Sequence, residues 1–531
     1  MINKNIRKSL LVYLVVTIPL LSQEKPDTTK TETDSTKTKP TIKSLTKGSK
    51  AIGGLFTFFQ DTTNGSVQML IQKNQLNKEF IHFVHTLDGV VDVGHFRGAY
   101  KSSKIFEIRK YFNRVEFIAI NTSYYFDPTN PLSKSSVANI NEPTLVSTEV
   151  LFEDETDGSI LIKADDIFLT ESLYQIKRPP NPNVKPGTRF TLGSLNKKKC
   201  QYFSINNYPL NSDLAIKYVF DNPAPVNRGG PGITDPRSVS LIIQHSIIAV
   251  PNNNYVPRFD DPRVGYFMTQ VTDMTSVSNT PYKDIIHRWN LKKKDPELPI
   301  SEPVKPITFW IENTTPIEFR EAVKEGVLRW NKAFRTAGFK NALQVKTQPD
   351  DADWDAGDIR YNVLRWTSSP RPPFGGYGPS FVNPRTGEIL GADIMLEFVY
   401  FTNRVKYEKI YEELIDNNNL IENCLAGYYL NQGNQFGFVS SMASSYTDEV
   451  KKRIINESLI RLVLHEVGHT LGLNHNFKSS YLHDNTRVHN KGITQEMGLT
   501  GSVMEYPGVN IAPPEKEQGE YYTTTPGPYD K

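Results

Sequence analysis

Hydrophobic and polar positions follow a strand-like pattern through the first half of the chain. Between residues 50 and 285, short apolar and aromatic runs alternate with turn residues, as in SVQMLIQKN and EFIHFVHTLDG. Such runs predict β-strands, because β-branched and aromatic side chains suit a pleated, half-buried surface. Helical periodicity is scarce in this half. We therefore predict a small β-rich segment at residues 49–95 and a larger β-rich domain of unknown role at residues 96–290.

The pattern changes after residue 290, where strand-like and helical runs alternate. A strand-like run in EPVKPITFWIENTTP precedes PIEFREAVKEGVLRWNKAFRTAGF, whose apolar residues recur at helical spacing. Two further strands are predicted from Asp358 and Gly387, and a long helix is predicted at residues 450–471. The predicted fold class is α+β: a domain with a mixed sheet and this helix at residues 291–531, preceded by the β-rich region.

The predicted long helix carries a dense group of potential metal ligands. Three of the ten histidines of the chain lie within residues 465–475. His465 and His469 are four residues apart, so a helix places their rings on one face, where they can bind one metal ion. Gly472 can adopt a positive φ and end the helix, which would let the chain return His475 to the same ion.

Three imidazole ligands favour one kind of metal site. They leave the fourth position of a tetrahedral site open for water, which is typical of catalytic rather than structural zinc. Copper, iron and nickel also accept imidazole, so the residues alone leave the metal open. Glu466 lies about 100° around the helix from His465, where it cannot join the same chelate but can reach a water on the metal.

These residues resemble the metzincin zinc endopeptidases. HEVGHTLGLNH has the spacing HExxHxxGxxH, and GSVMEYPG supplies a candidate methionine turn, with Met504 placed 29 residues after the last histidine. A bare HExxH arises by chance far more readily than this extended pattern. The resemblance implies that His465, His469 and His475 bind Zn²⁺. It also implies that Glu466 is the general base and that Met504 forms an apolar floor beneath the ligands.

Tyr506 follows the methionine by two residues. Astacins and serralysins have a tyrosine there that can bind the zinc and swing to stabilise the transition state, and the resemblance implies this catalytic role for Tyr506. The alternative is a tyrosine packed in a loop. Asn476 differs from the residue that follows the third histidine in astacins, serralysins and matrixins. The chain is therefore most similar to the bacterial secreted Met-zincins, whose upstream domains have no assigned function.

The resemblance also implies how a substrate is bound. The strand from Gly387 would form the upper rim of the cleft, where an extended peptide can add as a further strand. The loop at residues 477–502 would line the main specificity pocket. The predicted function is a zinc-dependent endopeptidase acting on protein or peptide substrates. A catalytically impaired binding protein of the same fold and a zinc amidohydrolase acting on a non-peptide amide are the alternatives.

Charge and the N-terminus bear on partners and location. With 61 Lys and Arg against 58 Asp and Glu, the net charge is +3, so no nucleic-acid partner is predicted. Lys4, Arg7 and Lys8 precede an apolar run at residues 10–21, which predicts a signal peptide at residues 1–22. We expect an exported protein, periplasmic or secreted, without stable membrane insertion after cleavage. Residues 23–48 are rich in Thr and Lys and predict a disordered linker.

Other chemistry-bearing residues give weaker indications. Cys200 and Cys424 could pair in an exported protein, although the sequence cannot show that they meet. His82, His85 and His95 are expected on strand surfaces. Five prolines among the 27 residues after the methionine exclude a long helix there. Metzincin domains usually end in such a helix, so we expect the domain to be incomplete at its C-terminus and its zinc helix to expose apolar surface.

Overall fold

The computed structural model of the chain describes residues 40–354, 356–369, 375–398, 426–442 and 447–531. The predicted signal peptide at residues 1–22, most of the predicted linker and Cys424 lie outside these ranges. Residues Thr41–Lys531 form a single unit. Within the described ranges, no helix has both the length and the apolar character that crossing a membrane requires.

The N-terminal half of the described chain is built mainly from antiparallel strands. Their bounds are β1 Ser49–Ile52, β2 Thr57–Asp61, β3 Val67–Ile71, β4 Glu79–Asp88, β5 Tyr100–Tyr111, β6 Arg114–Ile120, β7 Tyr124–Tyr125, β8 Thr144–Glu153, β9 Ile160–Lys163, β10 Ser194–Leu195, β11 Gln201–Asn207, β12 Asn211–Asp221 and β13 Ser238–Ala249. Twelve of these described strands form one sheet in the order β1-β2-β3-β9-β8-β6-β5-β4-β13-β12-β10, with β11 also paired to β12. The prediction of a β-rich N-terminal region is confirmed.

β4 lies inside this sheet, between β5 and β13. The predicted boundary at residue 95 therefore does not separate two sheets, because strands from both sides of it share hydrogen bonds and one apolar core. Both faces of β4 are buried, one in that core and the other against Phe381 of the C-terminal half. His82 and His85, which were expected on a strand surface, are consequently buried, and so is His95.

The C-terminal half adds a smaller sheet. Its strands and those leading to it are β14 Met268–Thr269, β15 Thr272–Asp273, β16 Ile285–Ile286, β17 Arg288–Trp289, β18 Ile307–Ile311, β19 Leu343–Thr347, β20 Asn362–Thr367, β21 Gly376–Tyr377, β22 Ser380–Val382 and β23 Glu388–Glu397. Among the described residues, β17-β23-β20-β18-β19 are parallel neighbours in that order, whereas β21 and β22 are antiparallel to β23.

The strand from Gly387, which was predicted to form the rim of the cleft, is not an edge strand of this sheet. Met395 of β23 pairs with Arg365 of β20 on one edge and with Tyr377 of β21 on the other. β23 is therefore an interior strand, and the prediction that the strand from Gly387 forms the rim was wrong. β21 and β22 lie outside it. The reason is that the chain first makes this short antiparallel segment and then turns back through β23 to rejoin the parallel strands.

Helices cover this smaller sheet. The helices of the described residues are α1 Ile42–Leu45, α2 Asp165–Phe168, α3 Ile317–Leu328, α4 Asn331–Thr336, α5 Ala426–Met442, α6 Asp448–Thr470 and α7 Lys491–Met497, of which α1 and α2 belong to the N-terminal half. α3 packs closely on α6, because a Cβ at Gly326 would lie only 2.6 Å from Cβ of Val463. The indole N–H of Trp330 donates to the main-chain oxygen of Leu464 at 2.9 Å. These contacts place α6 in the core of the C-terminal half.

The C-terminal tail covers α6 without a helix of its own after residue 497 in the described structure. Tyr521 and Tyr522 belong to the same apolar core as α6, and residues 523–525 are buried next to them. α6 is buried continuously over residues 457–470. The expectation that this helix exposes an apolar face was therefore wrong, because loops of the proline-rich tail pack against it instead.

Candidate metal site

α6 positions two of the three candidate ligands. The helix is preceded by its N-cap, Thr447, whose side chain accepts a hydrogen bond from the Val450 N–H at 3.3 Å. His465 and His469 lie one turn apart on the same face, with ring centroids separated by 4.7 Å. Both side chains are buried because this part of the helix is enclosed on all sides.

The chain leaves α6 through a left-handed turn at Gly472. Its φ is 101°, and a Cβ at this position would overlap the main-chain oxygen of His287. A side chain is therefore excluded both by conformation and by space. After the turn, His475 comes back beside His469, with their Nε2 atoms 3.2 Å apart.

The three imidazoles converge, and their ligand atoms all lie within 4.8 Å of one another. Nδ1 of His465 lies 2.8 Å from the oxygen of Val503, and Nδ1 of His469 lies 2.9 Å from the oxygen of Leu473. A carbonyl oxygen only accepts, so each of these Nδ1 atoms carries the proton and each Nε2 presents a lone pair. Hydrogen bonds of this kind orient metal-binding histidines and set their tautomer. His475 is the third member of this group.

Protonation and spacing of these rings fit a metal ion. Burial lowers the pKa of His469 to about 3 and that of His475 to about 4, and it holds the pKa of His465 well below its usual value. All three rings are therefore neutral at neutral pH. Zinc bound at about 2.0–2.1 Å would space two tetrahedral nitrogens by about 3.3 Å, and Nε2 of His469 and His475 are 3.2 Å apart. Within the described chain, Nε2 of His465 is buried without a hydrogen-bond partner, as suits a ligand atom.

Met504 packs against α6 at Gly468, which lies between the two helical histidines in the sequence. Its side chain is fully buried. A Cβ at Gly468, the residue before His469, would overlap the methionine sulfur. The missing side chain at Gly468 thus allows the methionine to lie directly against the helix.

Asp530 holds the turn that carries this methionine. Its carboxylate accepts hydrogen bonds from the N–H groups of Val503 and Gly527, each at 2.8 Å, and from the Ser502 hydroxyl at 2.6 Å. Burial raises the pKa of Asp530. The sequence analysis did not identify this residue, because nothing local marks an acid near the chain end as the partner of a turn 27 residues earlier.

Tyr506 lies beside the third ligand. Its Oη is 2.8 Å from Nε2 of His475, and its ring centroid is 5.3 Å from that of His465. Phe477 and Tyr429 flank the tyrosine, with centroid distances of 5.2 and 5.5 Å. These aromatic contacts orient the ring and direct its hydroxyl toward the histidines.

Glu466 is fully buried, and a glycine-rich strand passes close to it. A Cβ at Gly376 would lie 2.6 Å from its Oε1, and a Cβ at Gly378 would lie 2.7 Å from its main-chain oxygen. Glycine in a strand often marks such a close approach. The run GGYG at residues 375–378 was visible in the sequence. Its meaning was not, because it depends on a contact with a helix about 90 residues away.

An open cavity of about 630 Å³ adjoins His475. The loop after the third histidine supplies Lys478, the N-terminal half supplies Arg263, and the tail supplies Tyr529. The lining residues include no carboxylate. Arg263 is paired with Asp261 at 2.6 Å, whereas Lys478 is exposed. Lys478 therefore gives the cavity a basic character next to the candidate metal ligands.

Comparison with known families gives two matches. Residues 447–531 match the family model described as Met-zincin. Residues 100–294 match a model described as a domain of unknown function, DUF5117. No curated protein and no solved structure matches the chain. The first match confirms the resemblance found in the sequence: residues 447–531 are similar to a metzincin-type domain, which suggests zinc binding and metallopeptidase chemistry.

Proposed function

We propose that the chain is a zinc-dependent endopeptidase that hydrolyses peptide bonds with an activated water and Glu466 as general base. The observation that carries this proposal is that three neutral imidazoles converge and that two of them share α6 with a buried carboxylate, Glu466. The Met-zincin match at residues 447–531 supports it independently. The substrates would be proteins or peptides.

His465, His469 and His475 would hold the zinc through Nε2. When bound, zinc lowers the pKa of a coordinated water toward about 7 and polarises a carbonyl oxygen. Glu466 follows His465 on α6 and is buried, so its carboxylate is shielded from bulk water. It would accept a proton from the attacking water and deliver that proton to the leaving amine, as a general base that then acts as an acid.

Tyr506 would assist at the other side of the reacting carbonyl. Its hydroxyl already points toward the ligand group, 2.8 Å from Nε2 of His475. From there it could donate a hydrogen bond to the carbonyl oxygen as negative charge develops on that atom. The aromatic neighbours Phe477 and Tyr429 would keep the phenol in place.

The substrate would lie along β21 and β22. Among the described strands, each pairs only with β23, and β21 passes directly over Glu466. An extended peptide added to this strand would bring a peptide bond to the carboxylate. The cavity beside His475 would receive a neighbouring side chain, and Lys478 would favour an acidic one.

The test is cleavage of casein and of a fluorogenic peptide library by the full chain, with and without a chelator. Chelation should abolish turnover and added zinc should restore it. Glu466→Ala should keep one zinc per chain yet lose at least about 100-fold in kcat, while the exposed Glu496→Ala should behave like the wild type. Zinc binding without cleavage of any peptide, or cleavage of small non-peptide amides alone, would contradict the proposal.

A further inference from the structure

The segment that leads into the smaller sheet lies against the candidate metal ligands. This upstream segment, residues 265–289, belongs to the region that matches the domain of unknown function. It contacts the ligand turn, residues 471–475, which joins α6 to the third histidine. Nearly two hundred residues separate the two in sequence. The contacts are specific enough to assign the upstream segment a role.

Main-chain hydrogen bonds join the upstream segment to the ligand turn as a short antiparallel ladder. The Phe267 N–H donates to the oxygen of Gly472 at 2.8 Å, and the Asn474 N–H donates to the oxygen of Gly265 at 2.9 Å. Tyr266 and Leu473 form the bridge between these two bonds. Asn474, the residue before His475, is thus held in a fixed register. The direction in which the chain approaches the third ligand is therefore set by residues upstream of the domain that carries the histidines.

The same segment supports the end of α6. The last carbonyls of a helix lack partners within it. The indole N–H of Trp289 donates to the oxygen of Thr470 at 2.8 Å and satisfies one of them. The main-chain oxygen of His287 lies where a Cβ of Gly472 would be. Both contacts place the upstream segment at the point where the helix ends and the ligand turn begins.

A side chain of the upstream segment also touches a ligand ring. The ring centroid of Phe267 lies 5.4 Å from that of His469. His469 in turn is hydrogen-bonded through Nδ1 to the oxygen of Leu473, the residue bridged to Tyr266. The second ligand is therefore confined by the upstream segment directly and through the turn.

The upstream segment is itself anchored in two places. β17 pairs with β23 of the smaller sheet, and the Arg288 N–H donates to the oxygen of Gly387 at 3.0 Å. At the other end, the Gly265 N–H donates to the Tyr529 hydroxyl at 2.7 Å. Because the upstream segment is fixed at both ends, it can hold the ligand turn in place.

We propose that the upstream segment is a structural part of the metal site, in which Phe267 and Trp289 act as positioning residues that hold His469 and His475 for the ion. This assigns one role to the region of unknown function: the metal-binding domain does not hold its second and third ligands unaided. The role concerns metal binding, so it does not depend on which amide the site hydrolyses.

The experiment measures metal affinity of the full chain, using zinc competition with a chromophoric chelator and the visible absorption of the cobalt-loaded protein. Trp289→Phe removes the indole donor and keeps a ring, and Phe267→Leu keeps an apolar side chain without the ring. Each should weaken zinc by about 10-fold or more, as loss of an outer support does, and should alter the cobalt spectrum. Trp354→Phe, at a tryptophan stacked on Tyr361 away from the ligands, is the matched control.

A merely structural role would give a different result. It would lower the unfolding midpoint of the metal-free protein in urea but leave the zinc affinity of the folded protein and the cobalt spectrum unchanged. Zinc affinities within about twofold of the control for both variants would overturn the proposal. If the wild type binds zinc normally but cleaves no peptide, the proposed function fails while this inference stands.

Discussion

Nδ1 of His465 lies 2.8 Å from the main-chain oxygen of Val503, the residue before the buried methionine. The N–H of the same Val503 donates to the carboxylate of Asp530 at 2.8 Å. One residue, Val503, therefore links the first candidate ligand to Asp530 through its two main-chain groups. Because the carbonyl sets the tautomer of His465, any movement of this turn changes the orientation of a ligand ring.

Asp530→Ala should loosen this turn. It leaves the buried N–H of Val503 and that of Gly527 without acceptors, and each unsatisfied donor costs about 1–3 kcal/mol. We expect the free energy of unfolding to fall by about 3 kcal/mol and zinc affinity to fall as well. Urea unfolding and chelator competition measure the two effects. Lys531→Ala, at the next and exposed position, should change neither; a stable Asp530→Ala protein with unchanged zinc affinity would contradict the link.

Gly376→Ala should separate catalysis from metal binding. The added Cβ would lie 2.6 Å from Oε1 of Glu466 and would displace that carboxylate. A displacement of about 1 Å at a catalytic group can lower kcat by about 100-fold. Zinc affinity should stay at the wild-type value because no ligand moves. Gly53→Ala, whose Cβ would meet nothing within 4 Å, is the control. Full activity of Gly376→Ala would mean that the strand does not confine Glu466.

Acid should begin to destabilise the protein at a pH well above the range in which carboxylates titrate. Burial lowers the pKa of His85, His95 and His245 to about 3, whereas an unfolded histidine has a pKa of about 6.5. Below pH 6.5 the unfolded chain therefore binds protons that the folded chain cannot. The free energy of unfolding should fall as pH decreases, by up to about 1.4 kcal/mol per pH unit for each such histidine, and should be insensitive to them above pH 6.5.

Urea unfolding of the metal-free chain at a series of pH values between 7.5 and 4.5 would measure this slope. His85→Met replaces a buried ring, whose two nitrogens have no hydrogen-bond partner in the described structure, by a side chain that does not titrate. In this variant the free energy of unfolding should change less steeply with pH, because about one proton fewer is taken up on unfolding. Met274→Leu, at an exposed position that carries no titrating group, is the control. Equal slopes in wild type and His85→Met would refute the assignment.

Lys478→Glu should change the preferred substrate. Lys478 lines the cavity beside His475, which has no carboxylate among its lining residues. Peptides with Asp or Glu next to the cleaved bond should be preferred by the wild type and disfavoured by the variant. Because the lysine is exposed, the change in relative kcat/KM should be modest, about fivefold. Lys305→Glu gives the same net charge on another exposed lysine, and an identical shift in that variant would exclude a local effect.

The helix that carries the candidate ligands and its termination could be predicted because their determinants are neighbours in the chain. The four-residue step from His465 to His469 places both rings on one face of any helix, and Gly472 permits the turn wherever that helix lies. The apolar period of residues 450–471 indicates the helix itself. Each of these signals acts over a few residues, so the sequence alone was sufficient.

The rim strand, the burial of the histidines and the support of the ligand turn were decided only by tertiary packing. β23 became interior because β21 and β22 precede it and occupy its outer edge. His85 became buried because Phe381 of the smaller sheet covers the second face of β4, and His82 became buried on the first face, stacked on His245. Likewise, Phe267 meets His469, and Asp530 meets Val503, across long stretches of chain. Such contacts depend on which surfaces the folded chain brings together, and the residues on either side of each contact carry no local pattern that specifies its partner.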